Sequence, residues 1–474
     1  MTIILWYRQD LRISNHTALH EASKTGNKII PLYIHNEKEH TPWQTGPASN
    51  WWLHHSLEKL DQDLQTMGSR LVIQQGASFD ILKTLCQKYH THEIYGHRLY
   101  EPHLRTRDEC LTNDLNQHGI RLTLYDGNLI TQPEAIKNQQ GQPYKVFTPF
   151  YQAVLKHGIN AHQTRTIKKL PAVDSTIESL DLQALNLIDP QRSRTFQPNW
   201  LVGEQAAFAC IDEFINNGLS TYCEKRDHPA IHSTSSLSAH LHFGEISVQQ
   251  AARQLSQSVL SDKTPQQQAD AVLRQLIWRD FAYHLLHHFP HTPTQAYNAK
   301  FADFPWLDDE HAFNAWKNGV TGIPIVDAGM HELKQSGRMH NRVRMITASF
   351  LCKHLLIDWR RGADWFWQNL VDADLALNTM NWQWVAGCGV DAAPYFRIMS
   401  PITQSKKFDA KGDYIKKWLP QLRLLNKDTV HTPWLATADQ LKEGGIRLGE
   451  NHPEPIIDVD QARTRALDYF KSLS

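Results

Sequence analysis

The pattern that most constrains the fold lies in the first 127 residues. Short β-rich runs at 3–7, 29–34, 71–74, 93–95 and 122–125 alternate there with amphipathic stretches such as 48–67 and 79–88. Parallel strands need a crossover, usually a helix, so this alternation predicts a doubly wound parallel sheet in a Rossmann-like α/β domain. No Gly-x-Gly-x-x-Gly follows the first run, which leads instead into Arg-Gln-Asp-Leu-Arg at 8–12. The dinucleotide-dehydrogenase reading thereby loses its main support.

Residues 128–200 are polar and Gln-rich, interrupted by Pro133, Pro143, Pro149, Pro171, Pro190 and Pro198. They read as an inter-domain linker with short helices. From 201 onward helical periodicity dominates: Met345, Ala348, Cys352, Leu355 and Trp359 recur at steps of three and four, the spacing of one buried helix face. The expected division is an α/β domain at 1–127, a linker at 128–200 and an all-α domain at 201–474.

A chain of 474 residues exceeds one ordinary core, and 41% apolar content can support two or three. Lys+Arg and Asp+Glu both total 49, so only a local patch could bind a polyanion. Such a patch exists at 331–418, where 13 Lys+Arg face 8 Asp+Glu among several Trp and Tyr. That mixture suits nucleic acid, although most charge runs are solvated faces. Cys86, Cys110, Cys210, Cys223, Cys352 and Cys388 are scattered without a metal-like spacing, as reduced thiols in a cytosol would be. There is no basic leader and no apolar run near the ~20 residues that span a bilayer, so a soluble cytosolic protein is expected.

Four segments could carry chemistry. Thr234-Ser235-Ser236-Leu237-Ser238 gathers hydroxyls before a helical run, either as a phosphate cradle or as ordinary N-capping. In 274–280, helical spacing puts Gln275, Trp278 and Arg279 on one side, suited to a nucleobase or to helix packing. Residues 337–345 place Arg338, His340, Asn341, Arg342 and Arg344 ahead of an apolar helix. A buried Arg there needs a carboxylate, which Asp372 could supply unless it caps the next helix. Finally, Asn-Thr-Met-Asn-Trp-Gln-Trp at 378–384 sets two indoles among amides, where nearly opposite helix faces make shared core filling awkward.

The order of these segments resembles the photolyase/cryptochrome family, and within it the bacterial class I cyclobutane-pyrimidine-dimer (CPD) photolyases. The resemblance runs nearly end to end through Arg-Gln-Asp-Leu-Arg at 8–12, Tyr-Lys-Val-Phe-Thr-Pro-Phe at 144–150, Leu-Ile-Trp-Arg-Asp at 276–280, Met-His-Asn-Arg-Val-Arg-Met at 339–345 and Asp-Ala-Ala-Pro-Tyr-Phe-Arg at 391–397. It implies an antenna domain, a helical domain binding one reduced FAD, and light-driven repair of UV-damaged DNA by a cytoplasmic, monomeric lyase that needs no metal.

Residue by residue, the resemblance gives Tyr222, Thr234, Ser235, Ser236, Leu237 and Ser238 as FAD contacts. Arg344 and Asp372 become an ion pair beside the flavin, with Asp374 at its ring, Ala373 as a further cofactor contact and Asn378 facing N5. Trp382, Trp359 and Trp306 match the electron-transfer chain. Trp278 and Trp384 match the indoles that hold the dimer, with Gln275, Asn341 and Met345 beside them and Arg226, Arg342 and Arg397 on backbone phosphates.

Three positions depart from the family pattern. Gln275 stands where CPD photolyases carry Glu, as in (6-4) photolyases, Arg338 replaces an aromatic, and Leu104, next to His103, occupies the place of a folate-binding acid. The antenna is therefore expected to be a deazaflavin, a folate held differently, or absent. The alternatives are a (6-4) photolyase and a cryptochrome-like photoreceptor. Signalling relatives often carry a long C-terminal extension, whereas this sequence ends at Ser474 shortly after its last helical run.

Overall fold

The computed structural model describes residues 2–159, 167–261 and 263–471, so positions 160–166 of the expected linker lie outside the described residues. The chain forms two compact units that interleave along the sequence. One comprises Met1–Ser220, Ser235–Pro290 and Val371–Ala376; the other comprises Thr221–Thr234, His291–Leu370 and Leu377–Ser474.

The first unit is built on five parallel strands, β1 (Thr2–Tyr7), β2 (Lys28–His35), β3 (Val72–Gln75), β4 (Glu93–His97) and β5 (Arg121–Tyr125), in the order β3-β2-β1-β4-β5. The sequence runs anticipated all five. Four helices cross between them: α1 (Thr17–Lys24), α2 (Pro47–Thr66), α3 (Ser78–Lys88) and α4 (Pro102–Gln117). Strand β1 is buried from Ile3 to Tyr7 because both its faces are covered. Ile3, Leu5 and Tyr7 share a core with Leu19 of α1 and Trp52 and Leu57 of α2. Ile4 and Trp6 pack with Leu82 of α3 and Leu111 and Leu115 of α4.

The strand order reverses between β1 and β4, and the residues just beyond them form a buried polar knot. Asp10 Oδ2 lies 2.7 Å from His97 Nδ1 and 3.0 Å from His16 Nε2. His16 Nδ1 accepts from Leu19 N, which leaves its Nε2 to carry the proton toward Asp10. Burial alone would raise the Asp10 pKa, but the hydrogen bonds and charges of His16 and His97 hold it well below the carboxylate range. These three groups lie close enough to hold a metal ion, and within the chain Asp10 is bonded to His97 Nδ1 and in charge contact with His16 Nε2.

The helical part of the first unit includes Phe147–His157, Glu204–Glu213, Ser238–His242, Val248–Leu260 and the long helix Gln266–His288. It is tied to the 8–12 segment by Leu11 N donating to Phe243 O at 3.0 Å and by Arg12 Nη1 donating to Gly244 O at 2.8 Å.

The second unit is helical, with Glu310–Asn318, Pro324–Ser336, Asn341–Ser349, Trp359–Asn369, the helix Leu375–Ala386 from Leu377 onward, and Val459–Lys471 as its longer elements. The apolar stripe from Met345 to Trp359 does not lie on one helix. Asn341–Ser349 passes into a π turn at Phe350–His354, Leu356 takes φ +55°, and Trp359 opens a new helix whose N-cap Asp358 accepts from Arg360 N. Apolar spacing carries no mark of this break, because Ala348, Cys352, Leu355 and Trp359 are buried on both sides of it. Among the described residues no helix is long and apolar enough to cross a membrane.

Gly244 has φ +68°, and a Cβ there would clash with the Gln9 carbonyl and lie 2.6 Å from Asp10 Cα. Gly26 has a similar φ, +71°, in open space. Gly26→Ala is expected to cost about 1–2 kcal/mol from the left-handed backbone alone. Gly244→Ala should lower the melting temperature markedly further, and equal losses in thermal unfolding would refute the close approach.

Candidate functional site

In the first unit the indole of Trp278, half-buried on Gln266–His288, stacks on Phe147 with centroids 3.6 Å apart and planes at 7°. Phe281 meets it edge-on at 5.7 Å, and the Arg274 guanidinium sits 4.7 Å over Phe147. Phe147 belongs to the 144–150 motif, but nothing in its spacing gave it this role. Gln275 is half-buried on the same helix.

The expected convergence of Gln275, Trp278 and Arg279 on one spot does not form. Arg279 turns into the interior, donating to Asn128 O at 2.7 Å and Leu241 O at 3.4 Å, with its guanidinium 4.9 Å over Tyr283. Successive helical residues point about 100° apart, and a buried guanidinium follows its carbonyl acceptors.

Asp374 is fully buried and accepts from Tyr283 Oη at 2.6 Å, with His242 Nδ1 at 3.8 Å. Burial raises its pKa, but His242, Arg279 and Tyr283 together bring it down to about 2, so it stays anionic. Ala373 is buried and Asp372 half-buried. Ser235, Ser236, Leu237 and Ser238 also belong to this unit. Ser236 has φ +54°, and the short helix Ser238–His242 has Leu237 as its N-cap with no side-chain hydrogen bond. Near α4, Leu104 is buried, and neither ring nitrogen of His103 has a hydrogen-bond partner.

The second unit holds the remaining candidates. Tyr222 is buried with the Arg226 guanidinium 5.5 Å over its ring. Arg338, the residue standing in for an aromatic, donates Nη2 to Thr234 Oγ1 at 3.2 Å. Asn341 is exposed at the start of its helix, behind the N-cap His340, and Met345 follows one turn later, half-buried. Arg342 pairs with Asp227 at 2.8 Å and lies 4.4 Å over Phe408. Arg344 Nε donates to Met339 O at 2.7 Å. Arg397 is exposed, and its carbonyl and that of Tyr395 face the buried amine of Lys353.

The helix Leu375–Ala386 organises the aromatic residues. Asn378 Nδ2 donates to Ala363 O at 3.0 Å. Trp382 is 2% exposed and meets Phe366 edge-on at 5.0 Å and Trp316 at 6.3 Å. Gly362 lies so near that any Cβ there would enter the Trp382 ring. Trp359 is buried, and half-buried Trp306 lies 4.2 Å from the Phe304 ring. Trp384 is half-buried, in keeping with its place on another side of the helix from Trp382.

Gln383, between these indoles, is a residue the sequence reading passed over. Its Nε2 donates to Thr292 O at 2.6 Å and Gln295 O at 2.8 Å, and its Oε1 accepts from Tyr297 N at 3.1 Å. Its backbone carbonyl receives the N–H groups of Gly387, Cys388 and Gly389. An amide inside an aromatic run was the available signal, since a buried amide requires partners.

Two family models match the chain: "DNA photolyase" over residues 3–173 and "FAD binding domain of DNA photolyase" over 272–472. A deoxyribodipyrimidine photo-lyase from Agrobacterium fabrum is 42% identical over 99% of this chain and 98% of its own length. Cryptochrome-2 of Arabidopsis thaliana is 34% identical over 97% of this chain and 77% of its own length. The solved structure of a bacterial class III photolyase from Agrobacterium tumefaciens superposes with a TM-score of 0.95 at 40% identity, covering 100% of this chain and 97% of that one.

Two substitutions test these polar anchors. Gln383→Leu leaves two carbonyls and an N–H unpaired, and is expected to cost about 3 kcal/mol or more in denaturant unfolding; a loss below 1 kcal/mol would show the amide to be dispensable. Asp374 has a folded pKa below the unfolded value of about 3.9. Its stabilising contribution is therefore present above pH 4 and lost as the pH falls toward 2. The stability gap between wild type and Asp374→Asn should be about 2 kcal/mol at neutral pH and shrink below pH 4, and a pH-independent gap would contradict the buried anion.

Proposed function

Because the chain belongs to the photolyase/cryptochrome family, we propose that it repairs UV-damaged DNA by splitting cyclobutane pyrimidine dimers in blue light, with reduced FAD as cofactor. In this reading residues 1–127 form the antenna domain, 128–200 the linker and 201–474 the FAD- and DNA-binding part. The protein works as a cytoplasmic monomer, at the nucleoid through DNA.

The residues present suit a flavin nucleotide. Asp374, kept anionic, is an acceptor for a ring N–H. Ser233 Oγ is buried without a partner beside the 234–238 segment assigned to the pyrophosphate. Tyr222, Ser235, Ser236, Leu237, Arg344, Asp372 and Ala373 complete the proposed contacts. When bound, reduced FAD supplies a light-excited electron that opens the cyclobutane bonds of the dimer and then returns.

Asn378 is the observation that carries repair over signalling. Its amide is uncharged, and the bond from Nδ2 to Ala363 O fixes which end is free to act. Plant-cryptochrome-like relatives place Asp here, which can take up a proton that an amide cannot. Trp382, Trp359 and Trp306 pass electrons inward, and the exposure of these rings, two buried and one half-buried, suits a path that begins near the surface.

Photolyases, as a class, act on a dimer extruded from the duplex, and damaged pairing makes that extrusion less costly. Trp278, with Phe147 fixing its ring, and Trp384 hold the extruded dimer. Gln275, Asn341 and Met345 touch its edges; Arg226, Arg342 and Arg397 take the flanking phosphates. Gln275 can donate a hydrogen bond to a carbonyl but offers no charge, so the cyclobutane preference rests on Asn341 and Met345.

The deciding experiment records the absorption spectrum, then assays blue-light repair on two oligonucleotides, one with a cyclobutane dimer and one with a (6-4) product. Repair of the first is expected; repair of only the second, or of neither with FAD bound, would overturn the proposal. Trp278→Ala should weaken dimer binding by about 1–3 kcal/mol while leaving the flavin spectrum unchanged, and unchanged affinity would remove Trp278 from the substrate site.

A further inference from the structure

The first unit contains a relay of three side chains that the proposed repair chemistry does not use. Cys210 lies on Glu204–Glu213 and is partly exposed. His240 is fully buried on Ser238–His242, with Nε2 3.8 Å from Cys210 Sγ. Its Nδ1 is hydrogen-bonded to Glu245 Oε2, and the other oxygen of that buried carboxylate accepts from Trp52 Nε1 at 3.1 Å. The Trp52 ring stands edge-on to the imidazole at 5.0 Å.

A carboxylate that holds Nδ1–H and aims Nε2 at a thiol is the arrangement of nucleophilic triads. Burial disfavours a charged imidazole at His240, but Cys210 and Glu245 outweigh it and raise the pKa to about 9. Sulfur is a better nucleophile where a neighbouring imidazole takes its proton. Three of the other thiols lack this access. Cys86, Cys352 and Cys388 are buried, and burial pushes Cys86 and Cys388 up to about 12. Cys110 is exposed and provides an internal reference.

We propose that Cys210 is a reactive nucleophile activated by His240 and Glu245, a modification site for small soft electrophiles such as alkyl halides and hydrogen peroxide. With an alkyl iodide the S–C bond forms, the C–I bond breaks, iodide leaves, and the thiol proton resides on His240 Nε2. With peroxide the S–O bond forms and the O–O bond breaks, and the departing hydroxide takes that proton from Nε2 as water, leaving a sulfenic acid. The proposal does not depend on the repair reading.

The test treats the folded 474-residue chain in the dark with limiting iodoacetamide at pH 6 and follows each cysteine by peptide mass spectrometry. The contact between Cys210 Sγ and His240 Nε2 leads us to expect Cys210 to label at least ~10-fold faster than the exposed Cys110. His240→Gln should return Cys210 to the reference rate, and peroxide followed by dimedone should tag Cys210 first. Labelling of Cys210 in the wild-type protein no faster than that of Cys110 would overturn the proposal, whatever the variant does.

Discussion

The side chain of Gln383 is the constraint on which the aromatic part of the second unit depends. Its three hydrogen bonds fasten Leu375–Ala386 to the 292–297 segment, and its carbonyl gathers the turn at 387–389. With that residue committed to the scaffold, its neighbours are held on other sides of the helix. Trp382 goes into the core against Phe366 and Trp316, and Trp384 stays half-buried. The pairing of indoles with amides is thereby explained: one amide anchors the helix, and Asn378, a turn before Trp382, bonds to Ala363 O.

The first unit follows the same logic with charge. Asp10 and Asp374 are both buried and both kept anionic by neighbours that outweigh their desolvation. Asp10 sits where the strand order reverses and is surrounded by imidazoles from this chain, which makes it a structural anion. Asp374 is held by Tyr283 and His242 on helices that also carry the residues proposed to meet cofactor and substrate. A buried anion requires partners placed to within tenths of an ångström, so these carboxylates position the elements around them.

The five strands and their parallel order were legible because each strand of a doubly covered sheet is a short continuous apolar run between turn residues. The helix break at Leu356 was not, because buried positions continue across it. Arg279 was misplaced for a related reason: helical spacing says which residues are neighbours, not which carbonyl a guanidinium will seek. Phe147 and Gln383 were missed since stacking and clamping are long-range contacts, 131 and about 90 residues away along the chain. Ordered motifs made the family readable, while lesion choice rests on Gln275, Asn341 and Met345, whose effect depends on the substrate itself.

The division of labour proposed for one helix has Trp382 feeding electrons and Trp384 holding substrate. It is tested most directly by Trp382→Phe, measuring photoreduction of the oxidised flavin and, separately, repair by chemically reduced enzyme. Photoreduction is expected to be largely lost while repair by the pre-reduced enzyme stays near wild type. Intact photoreduction with lost repair would contradict it.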